Sequence, residues 1–455
     1  MNISVCVKVI DGELNPFDAC AVECALRLGG NVTVVSMCPP SAENVLKPLT
    51  RLGVNKVILL SDKAFAGSDT LATAYILSCA LKRLNPELVI CGRQSIDGDT
   101  AQVGPCLSVM LKYNLITNVM EMDYANGIIS CKTRLGCDTA RLPALITVER
   151  INELRFPRMG SKTSNVEIWD NSVLQADTKR CGLYGSPTRV IKTFTSSCGK
   201  RRCKFISPSE FYPLIERLKK SKKADLQIKP SEYKLPSVTI FGKEAYPYAE
   251  AIADEVIVKE GGTALEIYRL LESEKPETVL FPADLWGRKT APQVSALLNT
   301  GLCADCTALD TDGKRLIMYR PAQGGNIVAE IICKTNPQMA TVRTEEKCSD
   351  IAVSGGRGII EHFDMLAALS EKLNGEICAS RAAVDAGAAP YSAQVGLTGK
   401  KISPLIYIAA GISGAVHHTC AIEGAKWIIA VNPDKKARIF DYADYGIICN
   451  FEDLF

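Results

Sequence analysis

Short apolar segments that alternate with amphipathic segments constrain the fold of this chain more than any other feature. Residues 3–10 form an apolar, strand-like run. Residues 17–28 then repeat apolar side chains at i, i+4, i+7, i+8 and i+11, and Gly29 and Gly30 follow. This order indicates a buried strand, an amphipathic helix and a glycine cap. Because repeated strand–helix pairs build parallel sheets that are covered on both faces, the predicted fold class is α/β.

The same alternation recurs along the chain and divides it into units. Further strands are predicted at residues 31–37, 56–60, 87–91, 142–148, 237–241, 256–258, 278–281 and 351–354, and a helix at 71–84. A length of 455 residues corresponds to about three domains. We predict three α/β units, at residues 1–190, 235–345 and 346–455, with a linker at 191–234.

Composition and charge exclude several classes of function. The chain has 53 basic and 50 acidic residues, so it lacks the strong positive balance that nucleic-acid binding requires. The basic runs at 200–204 and 219–223 fit a solvated surface or an electrostatic docking segment. No apolar run reaches about 18 residues, and no basic segment precedes the first strand. We therefore expect a soluble, cytoplasmic protein without a transmembrane segment.

Cysteine and histidine usage narrows the chemistry. Nineteen cysteines are scattered among apolar residues, which favours a reducing compartment. Cys303 and Cys306 have a metal-like spacing, but no second pair accompanies them, so no metal site is predicted. Histidine occurs three times, which nearly excludes general His-based catalysis. His362 is expected at the surface, and His417 and His418 are the better functional candidates because they end a glycine-rich turn.

Two stretches rich in glycine and hydroxyl groups follow predicted strands. Residues 411–418 follow the apolar run at 404–410, and residues 92–105 follow the strand that ends at Cys91. Free amide groups at a helix start bind phosphate, and glycine allows an anion to approach the backbone closely. Taken alone, the turn at 411–418 is weak evidence, because a strand, a glycine-rich turn and a helix recur in most α/β domains, and residues 92–105 could equally be a capped loop. The usual P-loop and dinucleotide fingerprints are absent from the sequence.

Both stretches carry a family resemblance. Residues 92–105 resemble the nucleotide-binding signature of the electron transfer flavoprotein β subunit, as do residues 5–8, 15–18 and 142–144. Segments that resemble the α subunit lie at 287–307, 320–326, 337–343, 354–358, 379–387, 394–400, 411–418, 431–432 and 443–446. The chain thus resembles a fusion of the β and α subunits over nearly its whole length.

The resemblance implies a fold and a function. The fold would be two adenine-nucleotide α-hydrolase-like (Rossmann-like) domains plus a doubly wound FAD-binding domain. The protein would carry electrons through FAD between acceptor proteins and a donor, either NADH or a dehydrogenase such as acyl-CoA dehydrogenase or another flavin dehydrogenase. The β-like half would hold AMP in a simple carrier, or a second FAD in a bifurcating member. The sequence of residues 97–105 is closer to that of the bifurcating members. In those proteins NADH reduces the β-side FAD, and one electron goes to ferredoxin or flavodoxin.

The resemblance also assigns site residues. In the α-like domain, Arg381 would place a cation beside the isoalloxazine, Thr398 would hydrogen-bond the flavin N5, and His418 would donate to the C2 carbonyl. Ser413 and the turn amides suit the pyrophosphate, and the adenosine end would meet Asn432 and Asp444. The full predicted FAD set is Arg357, Ser380, Arg381, Gln394, Val395, Gly396, Leu397, Thr398, Gly399, Gly411, Ile412, Ser413, Gly414, Ala415, Val416, His417, His418, Asn432, Asp434 and Asp444. The predicted set of the β-like site is Cys6, Asn15, Asp18, Met37, Gly92, Arg93, Gln94, Ile96, Asp97, Gly98, Asp99, Thr100, Ala101, Gln102 and Val103.

Departures from the family pattern leave alternatives open. Leu397 stands where the family usually has glutamine, and the loop after Pro157 and Arg158 lacks the usual partner-anchoring sequence. The chain could be a redox-inactive sensor of adenine nucleotides. It could also be a thiol-based redox protein, which would require Cys303 and Cys306 to be exposed and to have lowered pKa values.

Overall fold

A computed structural model describes nine stretches of the chain. They are residues 1–133, 136–149, 153–157, 159–195, 200–221, 228–323, 327–344, 348–396 and 399–455. The chain folds into two units. The first contains Met1–Thr193, Pro230–Gln323 and Ala329–Val342, and the second consists mainly of Phe194–Lys229 and Arg343–Phe455. The finer domain limits given above stay predictions.

The first part of the chain contains the strands and helices of a large mixed sheet, a separate two-stranded hairpin and one strand of a smaller sheet. Its strands are β1 (Asn2–Val7), β2 (Val9–Ile10), β3 (Glu13–Leu14), β4 (Asn31–Met37), β5 (Lys56–Leu60), β6 (Leu88–Gly92), β7 (Asn114–Ala125), β8 (Ile128–Thr133), β9 (Gly136–Arg141), β10 (Ala144–Val148), β11 (Glu167–Trp169) and β12 (Thr188–Thr195). Its helices are α1 (Pro16–Leu28), α2 (Glu43–Leu46), α3 (Thr70–Leu84), α4 (Val103–Leu111), α5 (Asn171–Leu174) and α6 (Gly182–Gly185).

The order of the large sheet is β11-β5-β4-β1-β6-β10-β7-β8-β9. Neighbouring strands are parallel from β11 to β7, and β7, β8 and β9 pair antiparallel. Residues of α1 pack in the core on one face of the sheet, and residues of α3 pack in the core on the other face. The predicted parallel sheet with two covered faces is confirmed, whereas the antiparallel extension was not predicted.

Helix α1 shows how the local sequence produces the fold. Pro16 occupies the first turn, where its missing N–H costs no hydrogen bond. Phe17, Ala21 and Ala25 are buried against the sheet. The helix ends at Gly29, whose φ of +74° is readily adopted by glycine alone. The observed helix differs from the predicted one by a single residue.

The chain next contributes β13 (Lys204–Phe205) and α7 (Phe211–Leu218) to the second unit and then returns to the first. The following strands are β14 (Leu235–Phe241), β15 (Ala253–Lys259), β16 (Thr278–Pro282), β17 (Leu302–Cys306), β18 (Ala308–Thr311), β19 (Leu316–Ala322), β20 (Ile327–Cys333) and β21 (Gln338–Val342). The helices are α8 (Tyr246–Ile252), α9 (Ala264–Glu274) and α10 (Leu285–Leu298). A parallel sheet has the order β15-β14-β16-β21-β17, and a smaller sheet has the order β12-β20-β19-β18.

The second unit is a parallel sheet with the order β13-β26-β25-β24-β22-β23. Its remaining strands are β22 (Ile351–Gly355), β23 (Glu376–Ala379), β24 (Ile406–Ala410), β25 (Trp427–Val431) and β26 (Tyr445–Ile447). Its remaining helices are α11 (Phe363–Leu373), α12 (Arg381–Asp385) and α13 (Val416–Thr419).

Two features of the second unit differ from the sequence expectations. The stretch expected to be a linker supplies the edge strand β13 and the helix α7, which buries Phe211 and Ile215 in the core of this unit. The helix expected after the glycine-rich turn, α13, is a single turn. No helix within the described residues is long and apolar enough to cross a membrane.

Candidate nucleotide and flavin sites

A cavity of about 980 Å³ opens at the carboxyl edge of the large sheet. The last residues of four parallel strands reach it, namely those of β1, β4, β5 and β6. Parallel α/β sheets place their ligands at this edge. Small-molecule pockets measure about 300–1,000 Å³, so this cavity lies at the upper end of the range.

Most of the residues predicted for this site line the cavity. They are Cys6, Asn15, Asp18, Met37, Gly92, Arg93, Gln94, Gly98, Thr100, Ala101, Gln102 and Val103. Three predicted residues lie outside the lining: Ile96 is 44% exposed, Asp97 pairs with Lys8, and Asp99 accepts a hydrogen bond from Gln94 Nε2. The sequence prediction missed the wall formed by residues 60–70. Because β5 was predicted and runs parallel to β1, its carboxyl end could have been expected at the same edge.

Two buried side chains at the cavity have polar atoms without a protein partner. Asn15 is 1% exposed; its Nδ2 donates to Gln94 O at 2.9 Å, and its Oδ1 has no partner within the described residues. Gln102 is 3% exposed, and its Nε2 likewise has no partner among the residues described. An unpaired buried polar group costs about 1–3 kcal/mol. Both residues line the cavity, although these two atoms themselves have almost no solvent-accessible surface.

Asp18 lies beneath the cavity and is already hydrogen-bonded. Its carboxylate accepts from Lys8 N at 2.8 Å and from Gly92 N at 3.2 Å, which ties α1 to the ends of β1 and β6. A Cβ atom at Gly92 would lie 2.2 Å from Asp18 Oδ1. Gly92 is thus needed for packing, whatever ligand binds. Burial raises the pKa of Asp18 to about 7, against the smaller effects of its hydrogen bonds from Asn15, Lys8 and Gly92.

Two ion pairs hold the loop at residues 92–102. Lys8 Nζ lies 2.5 Å from Asp97 Oδ2, with both side chains partly exposed. Burial of Asp97 is outweighed by its bonds from Lys8 and Ser95, so the pKa of Asp97 is lowered. Arg93 Nη1 lies 2.6 Å from Glu149 Oε1, and both side chains are buried. Arg93 therefore anchors the loop through Glu149.

The second unit contains the glycine-rich turn predicted to bind the flavin pyrophosphate. Gly411 and Gly414 have φ values of +62° and +84°. The amide groups of residues 412–417 donate to no protein acceptor in the described part of the chain. A Cβ at Gly356 would lie 2.2 Å from the carbonyl oxygen of Gly411, so two glycines bring the ends of β22 and β24 together. Ser413, Ala415 and His417 are exposed on this turn, whereas Ile412 and Gly414 are buried and Val416 is half-buried.

Residues 394–396 and 399–400 are described, and a Cβ at Gly396 would lie 3.0 Å from the carbonyl oxygen of His417 in the first turn. Leu397 and Thr398 lie outside the described residues, so the roles predicted for them stay predictions. Around them, Lys400 N donates to Gln394 O at 2.9 Å, and a Cβ at Gly399 would lie 2.2 Å from the same oxygen. Lys400, whose side chain is buried, forms an ion pair with the half-buried Glu376, and Gly396 has a φ of +151°. These contacts hold the residues on both sides of Leu397 and Thr398.

His418 has protein partners on both ring nitrogens. It is 6% exposed, Nδ1 lies 3.1 Å from Val395 O, and Nε2 lies 2.7 Å from the Tyr407 hydroxyl. Burial lowers the pKa of His418 to about 4, against the smaller effect of Val395 O, so the ring is neutral near pH 7. As arranged, neither nitrogen is left to donate to a flavin carbonyl. The predicted donation from His418 would require one of these bonds to be exchanged.

The residues predicted for the adenosine end are also bonded within the protein. Asp444 Oδ2 accepts from Ile428 N at 2.8 Å and pairs with Arg201. Asn432 Nδ2 donates to Ile412 O at 3.0 Å, and Asn432 Oδ1 accepts from Asp434 N at 2.9 Å. Arg201 was expected to be a solvated surface charge, and the structure corrects this expectation because its guanidinium also bonds the carbonyls of residues 423, 425 and 426.

The remaining predicted flavin residues surround the start of α12. Ser380 Oγ accepts from Ala383 N at 3.4 Å and so caps that helix. Arg381 pairs with Asp385 at 3.3 Å on the partly exposed side of the helix. Arg357 is exposed in the turn after β22. All three lie near strand ends of the same parallel sheet.

The structure removes the support for a thiol-based mechanism. Cys303 and Cys306 are 2% and 0% exposed. Burial, together with Cys303, raises the pKa of Cys306 well above its usual value. A reactive thiol needs the opposite of both properties. Within the described residues, no group of three or more His, Cys, Asp or Glu side chains could hold a metal ion.

The first unit has a cavity of nucleotide size at the carboxyl ends of parallel strands. The second unit has a glycine-rich turn with amide groups that are free within the described residues. Both features are typical of nucleotide-binding α/β proteins. Residues 3–174 and 251–349 match the electron transfer flavoprotein domain, which is more than half of the chain. Residues 347–423 match the electron transfer flavoprotein FAD-binding domain. The chain belongs to the electron transfer flavoprotein family, and the resemblance seen in the sequence is confirmed. The second match supports FAD as the cofactor of the second unit.

Relatives of both subunit types are similar to the chain. Protein FixA of Azotobacter vinelandii is 39% identical over 221 residues, which is 44% of this chain and 79% of the relative. The electron transfer flavoprotein subunit alpha of Thermoanaerobacterium thermosaccharolyticum is 38% identical over 236 residues, which is 41% of this chain and 71% of the relative. The subunit beta of that organism is 37% identical over 196 residues, which is 40% of this chain and 75% of the relative. Similarity to two separate subunits is consistent with their fusion in one chain.

Proposed function

We propose that this protein is a bifurcating electron transfer flavoprotein that binds one FAD in the second unit and another in the cavity of the first. NADH is the proposed donor to the FAD of the first unit. One electron would pass through the FAD of the second unit to a high-potential acceptor, and the other would pass to ferredoxin or flavodoxin. When bound, flavin supplies the exchange between two-electron and one-electron transfer that this function needs.

The size of the cavity carries the proposal for the first unit. Asn15 and Gln102 line it, and rotation of either amide side chain would bring an unpaired polar atom to an adenine edge, which offers both donors and acceptors. AMP would leave much of the roughly 980 Å³ to water. A dinucleotide such as FAD uses the volume more fully, so the cavity favours a second FAD over AMP.

In the second unit, the chain's own groups suit a phosphate and a flavin. The amides of residues 412–417 are available to the pyrophosphate, as expected for backbone anion sites. Arg381 brings a cation to the end of β23, where its charge would favour an anionic flavin. These contacts would bind and orient the cofactor and shift its redox balance.

Partner proteins would dock where apolar side chains are exposed without neighbours. Phe156 is 92% exposed and Met159 is 103% exposed, both beside the position where the family anchors its partners. Arg155 fixes the start of this loop because its guanidinium binds Glu23 at 2.9 Å and 3.0 Å. We propose that a flavin dehydrogenase or another redox protein contacts this pair.

The nucleotide content of the protein tests the proposal. The full chain would be saturated with FAD and AMP, freed of unbound nucleotide and denatured, and the released nucleotides would be separated and counted. Two FAD per chain are expected. One FAD and one AMP would instead identify a simple carrier between a dehydrogenase and its acceptor. A chain that releases AMP but no FAD would be the redox-inactive sensor.

The donor is tested by anaerobic mixing of the two-FAD protein with NADH. Bleaching of one flavin within the mixing experiment is expected, followed by slower electron transfer to added ferredoxin or flavodoxin. The matched control is Gln102→Met, which removes the free donor at the cavity and leaves the second unit untouched. If NADH reduces neither flavin in the unaltered protein, NADH is not the donor.

A further inference from the structure

Three buried groups in the second unit form one hydrogen-bonded chain. The Tyr407 hydroxyl lies 2.7 Å from His418 Nε2, and His418 Nδ1 lies 3.1 Å from Val395 O. Tyr407 is 0% exposed, His418 6% and Val395 1%, so water cannot readily replace either bond. The three groups come from β24, α13 and residues 394–396. The chain therefore links three elements of the flavin site.

The chemistry of the two ends fixes the position of the proton on His418. A backbone carbonyl such as Val395 O can only accept, so Nδ1 must carry hydrogen. In the neutral ring, Nε2 is then the acceptor, and the Tyr407 hydroxyl donates to it. Without Tyr407, Nε2 would be buried and unpaired, or the ring would have to change its tautomer or its orientation.

The groups that face this chain keep it neutral. Burial lowers the pKa of His418 to about 4. Burial and, to a smaller extent, the neighbouring Cys378 raise the pKa of Tyr407 well above its usual value. The same donor pattern therefore persists across the whole range in which the protein would work.

We propose that Tyr407 is a positioning residue of the flavin site, which acts through His418 to fix the carbonyl of Val395 and with it residues 394–396, beside the glycine-rich turn at 411–418. Val395 N donates to Ala379 O at 2.9 Å, so both the N–H and the carbonyl group of Val395 are held. The ion pair between the buried Lys400 and the half-buried Glu376 anchors the residue after Gly399. This inference rests on FAD binding in the second unit, and it gives His418 an indirect role in place of direct donation to the flavin.

Histidine nitrogen NMR on the full chain tests the proton position without any need for flavin. With His labelled by ¹⁵N, three pairs of ring signals are expected, one pair for the Nδ1 and Nε2 of each histidine. The His418 pair should show a neutral ring with hydrogen on Nδ1 and should not titrate between pH 5.5 and 8. Tyr407→Phe should shift this pair, and His362 and His417 should keep theirs. A His418 ring that titrates near pH 6.5, or that carries its hydrogen on Nε2, would overturn the proposal.

FAD binding tests the effect of this positioning. Tyr407→Phe keeps the ring and removes the hydroxyl, so the dissociation constant of FAD should rise about fivefold to tenfold, which corresponds to one hydrogen bond. Tyr212→Phe is the matched control, because the Tyr212 hydroxyl is buried in the same unit without a partner within the described residues. Equal FAD affinity in the two variants would overturn the positioning role.

A double-mutant cycle keeps the test decisive if a single variant is unstable. His418→Gln retains a donor for Val395 and an acceptor for Tyr407, so it should bind FAD more tightly than His418→Leu. Adding Tyr407→Phe to His418→Leu should cost nothing further, because the chain is already broken. Additive losses would show that Tyr407 acts elsewhere. If the unaltered protein bound no FAD, the proposed function would fail, while the NMR result would still decide the proton position.

Discussion

Polar side chains at the cavity of the first unit and at the turns of the second unit differ in how their hydrogen bonds are satisfied. At the cavity, Asn15 Oδ1 and Gln102 Nε2 are buried and unpaired among the described residues. In the second unit, His418 and Asp444 are bonded to protein groups. The first arrangement leaves two side chains at the cavity with unused hydrogen-bonding capacity. The second uses side chains to shape turns whose backbone amides face outward, so a side chain predicted to touch a cofactor can instead hold the surface that does.

The largest expected effect is on the stability of the second unit. Arg201→Ala removes the partner of Asp444 and the donor to three carbonyls, so the free energy of unfolding should fall by about 2–4 kcal/mol. Urea unfolding followed by fluorescence of Trp427, the tryptophan in this unit, would measure it. Lys200→Ala is the control, because Lys200 is 75% exposed and should change stability by less than about 0.5 kcal/mol. Equal effects of the two changes would mean that the contacts of Arg201 do not stabilise this unit.

A smaller effect is expected at the cavity, on the affinity for nucleotide. Gln102→Met removes the unpaired Nε2 and keeps the side-chain length, so stability should be unchanged or slightly higher. The affinity for FAD or AMP in the first unit should fall about fivefold to tenfold, as expected for one lost hydrogen bond. Calorimetric titration of each nucleotide would measure it. Loss of stability without loss of affinity would mean that Gln102, like Asp444, supports the protein structure and does not bind the nucleotide.

Asp18 is an exception to the difference between the two sites, because it lines the cavity and is nevertheless hydrogen-bonded within the protein. Its pKa is about 7 in the folded chain against 3.8 as the ordinary value, so the folded state holds the extra proton between these pH values. The free energy of unfolding should therefore fall as the pH rises from about 4 to 7, by up to about 1.4 kcal/mol per pH unit. Asp18→Asn should flatten this slope in urea unfolding at pH 5, 6 and 7.

Glu23 provides the control for the pH experiment, since it lies on the same helix and has the opposite shift. Although burial raises its pKa, Arg155 and Arg27 outweigh that effect and lower the pKa to about 2. Its stabilising contribution is present above about pH 4.5 and is lost only as the pH falls towards 2. Glu23→Gln should lower stability by the same amount at pH 5, 6 and 7. A changed slope in this variant would point to a general effect of α1.

The smallest effect on the folded chain should come from the exposed pair. The double change of Phe156 and Met159 to Ala removes no buried contact, so both stability and nucleotide binding should be unaltered. If this loop docks partners, electron transfer to the physiological acceptor should slow, with a raised Michaelis constant for that acceptor. Ile96→Ala, also exposed but on the cavity loop, is the control. An unchanged rate in the double variant would exclude this surface.

Local sequence patterns predicted much of the fold. The predicted strand at residues 31–37 coincides with β4, and the predicted helix at 71–84 differs from α3 by one residue. The antiparallel hairpins β7 to β9 escaped prediction because the periodicity of residues 114–141 is weak and their pairing depends on neighbouring strands. Helix α7 was taken for a linker because lysine runs surround it, although four of its side chains are buried.

The sequence by itself determined the α/β class, the family and the position of the glycine-rich turns, because these depend on residues close together in the chain. Only the tertiary structure decided which polar groups remain free for a ligand. Arg201 and Asp444 are 243 residues apart, and Tyr407 meets His418 through the folding of β24 against α13. A buried polar side chain must find a partner somewhere, and local sequence does not say whether that partner is protein or ligand.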